Sequence, residues 1–274
     1  MTDGEGGTGG ETTAGRGRTG PAGGNGGTGE PGLCLLLGRP VVWSWLYDAL
    51  ETVERETDTS VDLVVRTDTG GRPAETRLDL PFDATETYSA VEPVDGGPAV
   101  RLPDATVDRI VEETDVVFHN GVGILSGRIL TEPEHGVLSY HHGDIRRYRG
   151  VLTHLWNYLN GDEVGGVTVL RLTEELDVGG IVAAAEVDLS NCLTWSEVET
   201  RKQLAGVPLL ARAVENTTDP DFEPDVPDPD ELGRMYRSSD VTLPVIARYL
   251  LRETVLTTRK RALNLRKLLG IYRE

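Results

Sequence analysis

Residues 139–150 read Ser-Tyr-His-His-Gly-Asp-Ile-Arg-Arg-Tyr-Arg-Gly, which is the densest polar segment between the apolar runs of this chain. The pattern over 138–141 predicts a short strand before this segment, and the pattern over 152–160 predicts a helix after it. A further strand is predicted over 166–172. Because ligands of open α/β sheets bind beyond the carboxyl ends of the strands, this polar stretch is the first candidate for a functional loop.

Predicted strands and helices alternate on both sides of this stretch. The continuous apolar run Leu33–Leu37, followed by Gly38, is typical of a buried parallel strand. Helical spacing predicts a helix over 106–113, with Asp104 as its N-cap. The remaining predicted elements are strands over 61–65 and 115–118 and helices over 42–56 and 194–215. This alternation predicts an α/β fold with a doubly wound, mostly parallel sheet.

Composition divides the chain into four segments. Residues 1–31 lack large apolar side chains after Met1 and cannot offset the entropy of folding, so we expect a disordered tail. Residues 32–215 carry the predicted α/β domain. Residues 216–232 are acidic and rich in proline, which predicts a linker or a loop that follows the surface. Residues 233–274 predict a basic, helical C-terminal extension.

The net charge of the 274-residue chain is −18 at pH 7, from 27 Lys and Arg against 45 Asp and Glu. Nucleic-acid binding needs cations that neutralise phosphates, so this balance argues against a nucleic-acid partner. The last thirty residues differ, because they hold eight basic and two acidic side chains. We expect this basic helix to pack against the acidic domain. The alternatives are that it binds RNA or an anionic nucleotide sugar, or lies on an anionic membrane surface.

Other features of the composition concern the environment of the protein. Only three of the basic residues are lysines and carboxylates occur along the whole chain, which is typical of extreme halophiles such as haloarchaea. An ordinary acidic bacterial protein is the alternative. Cys34 and Cys192 are too few for a disulfide framework or a four-cysteine zinc site. No apolar run reaches the length of a membrane span and no signal-peptide pattern occurs, so we expect a soluble, cytoplasmic protein.

Five short motifs follow one another from His141 to Gly179. They are His141, Tyr148-Arg149-Gly150, Asn160-Gly161, Gly166-Val167-Thr168 and Leu176-Asp177-Val178-Gly179. In this order and spacing they resemble the motifs of the folate-dependent formyltransferase family, which includes glycinamide ribonucleotide formyltransferase, methionyl-tRNA formyltransferase and the sugar N-formyltransferases. Weaker similarity begins at Leu33, so the resemblance marks 32–215 as the catalytic domain.

The resemblance implies transfer of a formyl group from N10-formyltetrahydrofolate to an amine, without a metal. The tetrahedral intermediate of this reaction needs a donor that stabilises its oxyanion and a group that moves a proton. By resemblance, His141 performs the first task and assists the second, and Asp177 orients or activates His141. The residues expected to line the folate site through backbone groups are Asn120, Gly121, Val122, Gly123, Ile124 and Leu125.

The sequence departs from the family pattern at Ser139 and in the loop after His141. The family has an asparagine at position 139 that donates a hydrogen bond to the formyl oxygen, and the serine hydroxyl is shorter. Loss of one oxyanion donor typically lowers the rate by about 100- to 1000-fold. The family's Ser-Leu-Leu-Pro is replaced by Gly143-Asp144-Ile145-Arg146. Two functions therefore stay open: an active formyltransferase with Ser139 in the catalytic site, and an impaired protein of this fold that acts as a binding or regulatory module.

The rebuilt loop supplies the candidate contacts to the acceptor. Asp144, Arg149 and Gly150 are predicted to bind substrate, although Asp144 also fits a loop N-cap. For the arginines of this loop, local ion pairs are the competing interpretation, and we favour it because the protein is so acidic. The neighbouring His142 is expected to pack or to contact solvent rather than to catalyse.

The predicted acceptor is a small amine, most specifically an amino sugar linked to a nucleotide. Family members that act on methionyl-tRNA carry an appended C-terminal β-barrel. The residues after position 215 are too few and too helical for such a barrel, which argues against a tRNA partner. The sequence makes no prediction of the oligomeric state.

Overall fold

A computed structural model describes residues 30–38, 42–67, 80, 82–175 and 179–268, with side chains described as far as Ala262. Residues 1–29 of the predicted tail lie outside the described residues, and so does Asp177 of the predicted catalytic site.

Strands and helices alternate over most of the described chain. The strands are β1 (Gly32–Leu37), β2 (Ser60–Thr67), β3 (Thr85–Ser89), β4 (Glu92–Pro93), β5 (Ala99–Arg101), β6 (Val116–Asn120), β7 (Ile124–Leu125), β8 (Val137–His141), β9 (Tyr148–Gly150), β10 (Val164–Arg171), β11 (Gly180–Asp188) and β12 (Arg234–Tyr236). The α-helices are α1 (Ser44–Glu56), α2 (Asp104–Glu113), α3 (Thr153–Asn160), α4 (Trp195–Thr218) and α5 (Leu243–Leu268). Every helix and strand that the sequence predicted is present, and their ends agree with the prediction to within a few residues.

The central sheet has seven strands in the order β11-β10-β8-β6-β1-β2-β3. The four pairs between β8 and β3 are parallel, whereas β10 runs antiparallel to both β8 and β11. The predicted mostly parallel α/β sheet is therefore confirmed. The antiparallel direction of β10 brings Thr168, near the middle of this strand, beside His141 at the carboxyl end of β8.

Two hydrophobic cores lie on the two faces of this sheet. Alternation along β1 sends Leu33, Leu35 and Leu37 into the first core, which α1, α3 and α4 cover. Cys34 and Leu36 point into the second core, which is covered by α2 and by the segment after β7. This two-sided burial explains why β1 is apolar at every position.

One expectation about local structure needs correction. Asp104 is not an N-cap but the first residue of α2, because Pro103 occupies the cap position and forms no side-chain hydrogen bond. The sequence analysis also missed β11, whose Ala183, Ala184 and Ala185 have little intrinsic preference for a strand. Pairing with β10 along nearly its whole length gives this segment its extended conformation.

The C-terminal region is helical, as predicted, and lies against the α/β domain. The side chain of Arg248 in α5 donates to the Leu159 carbonyl at 2.7 Å, and Lys260 forms an ion pair with Glu197 at the start of α4. Upstream of α5, the short strand β12 pairs with β9. The segment between α4 and β12 follows the surface of the domain. Its Asp225 exchanges backbone hydrogen bonds with Ile181 of β11.

Candidate active site

Three polar side chains share one face of the sheet near the carboxyl ends of its central strands. His119 on β6 is the direct neighbour of Ser139 on β8, and His141 follows two positions later on the same strand. Side chains two residues apart on a strand, and paired residues on adjacent strands, point to the same face. Val117 and Val137 precede them by two positions and belong to the second core. His119, Ser139 and His141 therefore lie on that face.

The His141 side chain is 7% exposed and is held by the loop that follows it. Its Nε2 atom lies 2.8 Å from the carbonyl oxygen of Tyr148. Because a carbonyl oxygen only accepts hydrogen bonds, Nε2 carries the hydrogen, and Nδ1 is the basic nitrogen of the neutral ring.

The glycine after the two histidines is required by this arrangement. A Cβ atom at Gly143 would lie 2.8 Å from His141 Nε2 and 3.1 Å from Thr153 Cβ. Both distances are shorter than ordinary contacts, so a larger residue at this position would displace the imidazole or the start of α3.

Strand β10 supports the loop after His141 from the neighbouring position in the sheet. The hydroxyl of Thr168 donates to the Gly143 carbonyl at 3.1 Å. A Cβ atom at Gly166 would meet the Asp144 Cβ at 2.8 Å. In the Gly-Val-Thr motif, Gly166 thus lets the backbone of β10 lie close to Asp144, and Thr168 satisfies the buried carbonyl of Gly143.

His119 forms a hydrogen bond that the sequence did not indicate. Its Nδ1 atom lies 3.2 Å from Ser139 Oγ, and its Nε2 atom is buried without a hydrogen-bond partner among the described residues. Burial lowers the pKa of His119 to about 4, although the Gly123 carbonyl acts in the opposite direction. The sequence analysis gave no role to His119. Its position as an ionisable residue at the carboxyl end of a central strand was the signal that could have revealed it.

The predicted folate-binding residues run from Asn120 at the end of β6 through the following turn to strand β7. Val122 and Leu125 are buried in the second core, so only backbone groups at these positions could contact a ligand. Gly121 and Gly123 are exposed and have positive φ values of 77° and 103°. Glycine adopts this conformation without the strain that a side chain would cause, and it leaves the backbone of the turn accessible.

Glu174, which follows β10 three positions before Asp177, contacts the segment after β7. The carboxylate of Glu174 accepts hydrogen bonds from the Gly127 amide at 2.8 Å and from the Ser126 hydroxyl at 3.1 Å. The described chain before Asp177 therefore contacts the segment that follows the predicted folate-binding residues.

Comparison with known proteins connects this site to one family. Residues 95–214 match the formyl transferase family model, and this range includes β6, β8 and β10. Methionyl-tRNA formyltransferase of Clostridium beijerinckii is 28% identical over 102 residues, which are 37% of this chain and 33% of the relative. The chain spans about a third of the length of the curated relatives that it matches.

Solved structures show the same architecture over a larger part of the chain. A sugar N-formyltransferase from Shewanella gives a TM-score of 0.51 at 16% identity, over 81% of this chain and 87% of that one. An N-formyltransferase from Helicobacter canadensis, in complex with folinic acid and dTDP-3-aminofucose, gives a TM-score of 0.52 at 13% identity, over 77% of this chain and 72% of that one. The fold is the α/β fold of the formyltransferases. With the match of residues 95–214, it supports a place in the formyltransferase family.

Within this formyltransferase fold, the predicted acceptor contacts are engaged inside the chain. The Asp144 carboxylate accepts from the Arg146 amide at 2.9 Å, which is the capping role that the sequence left open. Arg149 Nε donates to the Gly233 carbonyl at 2.9 Å. Gly150 has a φ of 82°, and a Cβ atom there would lie 1.9 Å from the Tyr236 carbonyl oxygen.

The other two arginines of the loop, Arg146 and Arg147, lie in local ion pairs, as expected. Arg146 pairs with Asp225 at 2.7 Å, and Arg147 lies 3.7 Å from Asp162 while donating to the Val164 carbonyl at 2.8 Å. His142 packs edge-on against Trp45 and stacks on Tyr140, which confirms its expected packing role.

A buried lysine behind the loop was not found from the sequence. Lys202 on α4 is 1% exposed, and its ammonium donates to the His142 carbonyl at 2.8 Å and to the Asn157 side-chain oxygen. Burial lowers its pKa to about 7, partly opposed by the carboxylates of Asp162 and Asp144. Lys202 thus connects α4, α3 and the residue after His141.

Among the described residues, no group of three or more His, Cys, Asp or Glu side chains is placed to hold a metal ion. In the same part of the chain, no helix is both long and apolar enough to span a membrane.

Proposed function

We propose that this chain transfers a formyl group from N10-formyltetrahydrofolate to a small amine. One observation carries the proposal: the segment that matches the formyl transferase model contains His119, Ser139 and His141 on one sheet face, beside the glycine-rich turn at 121–123. Convergent polar groups at the carboxyl ends of strands are the usual setting of an α/β active site.

The chemistry assigns a task to each side chain of the site. The acceptor nitrogen forms a bond to the formyl carbon, the bond from this carbon to N10 breaks, and a proton moves from the acceptor nitrogen to N10. His141 stabilises the developing negative charge on the formyl oxygen and assists this proton transfer. Asp177 orients His141, and backbone groups of 120–125 hold the folate. The buried Tyr148 carbonyl fixes the His141 tautomer.

An amino sugar linked to a nucleotide is the proposed acceptor. The supporting observation is the likeness to sugar N-formyltransferases over most of this chain, which includes a structure with dTDP-3-aminofucose. A tRNA acceptor has less support, because the matched part of the methionyl-tRNA enzymes is about a third of their length.

Turnover of N10-formyltetrahydrofolate with a dTDP-amino sugar tests the proposal. We expect His141→Ala and Asp177→Asn to lower kcat by at least about 100-fold, because each removes a group that acts in the transition state. His135→Ala is a matched control, since this histidine lies before the amino end of β8. Full activity of both site variants would contradict the assigned roles.

A binding or regulatory module without catalysis is the second candidate. It is favoured by the low exposure of His141 and by the hydrogen bond that occupies Ser139. Calorimetric titration with folinic acid distinguishes both candidates from a protein of unrelated function, because both are expected to bind it. Turnover then distinguishes the enzyme from the module. Folinic acid binding without turnover of any amine tested would favour the module.

A further inference from the structure

A network of hydrogen bonds starts at His141 and passes into the interior behind the site loop. His141 Nε2 donates to the Tyr148 carbonyl at 2.8 Å. The hydroxyl of Tyr148 donates to the Asp162 carboxylate at 2.6 Å. The side-chain amide of Asn157, which is 2% exposed on α3, donates to the same carboxylate at 2.7 Å. The network thus connects the ring of His141 with a buried polar side chain of α3.

Lys202 on α4 returns this network to the site. Its ammonium donates to the Asn157 side-chain oxygen and, at 2.8 Å, to the His142 carbonyl. This carbonyl belongs to the peptide group that joins His142 to Gly143. A Cβ atom at Gly143 would lie 2.8 Å from His141 Nε2, so this peptide group lies close to the imidazole. The network therefore reaches His141 twice, through its own hydrogen bond and through the peptide that Lys202 anchors.

The position of Lys202 is one where an apolar residue would serve the core as well. Val198 and Leu209 lie on the same face of α4, and both are at most 3% exposed. Burial removes the hydration of an ammonium group, and apolar residues of similar volume are often as stabilising as a buried polar network or more so. A satisfied buried network instead fixes a single arrangement of the groups that it joins. Here these groups include the backbone next to His141.

We propose that Lys202 and Asn157 are positioning residues that hold the His141 imidazole in place for formyl transfer. This inference rests on the proposed function and adds two residues to the same site. Both residues act through His142 and Asp162 rather than on the reacting atoms. The competing interpretation is that the network only joins α3 to α4.

The double variant Lys202→Met/Asn157→Leu separates these interpretations. It replaces both side chains by apolar groups of similar size, so neither is left as an unsatisfied partner of the other. Removal of both partners is often neutral or stabilising, and we expect the free energy of unfolding in urea to match or exceed that of the wild type. The loop keeps a further attachment, because the Thr153 hydroxyl also donates to the His142 carbonyl.

The kinetic constants give the first measurement. A displacement of about 1 Å at a reacting group can lower a rate by about 100-fold, and we expect kcat of the double variant to fall by about 10- to 100-fold. KM for the formyl donor should stay at the wild-type value, because the turn at 121–123 contains none of the network residues. Rates are referred to the concentration of sites titrated with folinic acid, so unfolded protein does not enter. Lys260→Met, at a lysine of α5 that pairs with Glu197, is the matched control and should keep both constants.

Nitrogen-15 NMR of the histidine rings gives a second measurement that needs no turnover. In the wild type the Tyr148 carbonyl keeps the hydrogen of His141 on Nε2, so one tautomer should be observed. We expect the double variant to show both tautomers for this ring. The signals are assigned by comparison with His141→Gln.

The possible results distinguish this inference from the proposed function. Unchanged kcat with an unchanged His141 tautomer overturns the inference and leaves the proposed function standing, and so does a loss of stability alone. If the wild type transfers no formyl group, the proposed function is wrong, and the NMR spectra still decide whether Lys202 and Asn157 hold the ring. If the double variant does not fold, Lys202→Met alone takes its place, with the same fall in kcat and the same change of tautomer expected.

Discussion

At the scale of single residues, the candidate site depends on close contacts around His141 and Ser139. His141 is held between the Tyr148 carbonyl and the backbone of Gly143, and Ser139 is held by His119. The family resemblance predicted His141 and Ser139 from their order in the chain. It gave no role to His119, because the bond to Ser139 exists only when β6 and β8 lie side by side.

Gly143→Ala tests whether the position of His141 matters for the reaction. The added methyl group would lie 2.8 Å from His141 Nε2, so the imidazole must move away from the Tyr148 carbonyl. Because displacements of about 1 Å at a reacting group can lower rates by about 100-fold, we expect a loss of that order in kcat. Steady-state formyl transfer measures it.

Gly97→Ala is the matched control for this substitution. A Cβ atom at Gly97 meets only the Val94 carbonyl oxygen at 3.4 Å, which is an ordinary contact. Equal activity of the two variants would show that the contact of Gly143 with His141 is unimportant for turnover.

At the scale of elements, helix α4 does more than cover the sheet. It begins with a capping box in which Thr194 and Glu197 satisfy each other's backbone amides, and it then carries Lys202 into the interior. The Lys202 ammonium reaches the carbonyl of His142 and the side chain of Asn157 on α3. Asn157 in turn donates to Asp162 at 2.7 Å. This chain of contacts fixes α3 and the site loop relative to α4.

Lys202→Met should change the dependence of stability on pH. The pKa of Lys202 is about 7 in the folded protein and 10.5 in the unfolded chain, so the unfolded chain binds more protons between these values. The free energy of unfolding of the wild type should therefore rise with pH from about 7 to about 10, by up to about 1.4 kcal/mol per pH unit. The variant should lack this rise in urea unfolding curves.

Lys260→Met provides the comparison for a lysine near the surface. Lys260 is 40% exposed and pairs with Glu197. Replacement of this lysine should leave the pH-dependent rise intact. If Lys202→Met keeps the same slope as the wild type, burial does not lower the pKa of Lys202 and the pH dependence has another source.

At the scale of the whole molecule, charge is divided between the acidic α/β domain and the basic C-terminal helix. The net charge is −18, yet the described part of α5 is attached through Lys260 to Glu197 and through Arg252, whose guanidinium lies 5.0 Å from the centre of the Tyr158 ring. The expected packing of this helix on the acidic domain is thus present. The long acidic segment after α4 lies along the same domain and pairs Asp225 with Arg146.

High salt should stabilise this protein. Repulsion among the excess carboxylates opposes the compact state, and screening becomes nearly complete as the Debye length falls toward about 3 Å at about 1 M salt. We propose that the composition is an adaptation to such conditions. The free energy of unfolding in urea should therefore increase between about 0.1 M and about 2 M KCl. Sucrose at equal osmolality is the control, and an unchanged or falling stability in KCl would contradict the proposal.

The sequence by itself determined the α/β class, the main strands and helices, and the motif series that places His141 near the carboxyl end of β8. These features follow from local patterns, because apolar periodicity and short motifs are read within a few residues. Local patterns failed at β11, where alanines take their conformation from β10, and at β9 and β12, which exist only as a pair. The partners of Ser139 and Lys202 were decided by the tertiary structure alone. Their contacts join residues 20 and 60 positions away in the chain, and no local preference specifies which distant groups will share a buried hydrogen bond.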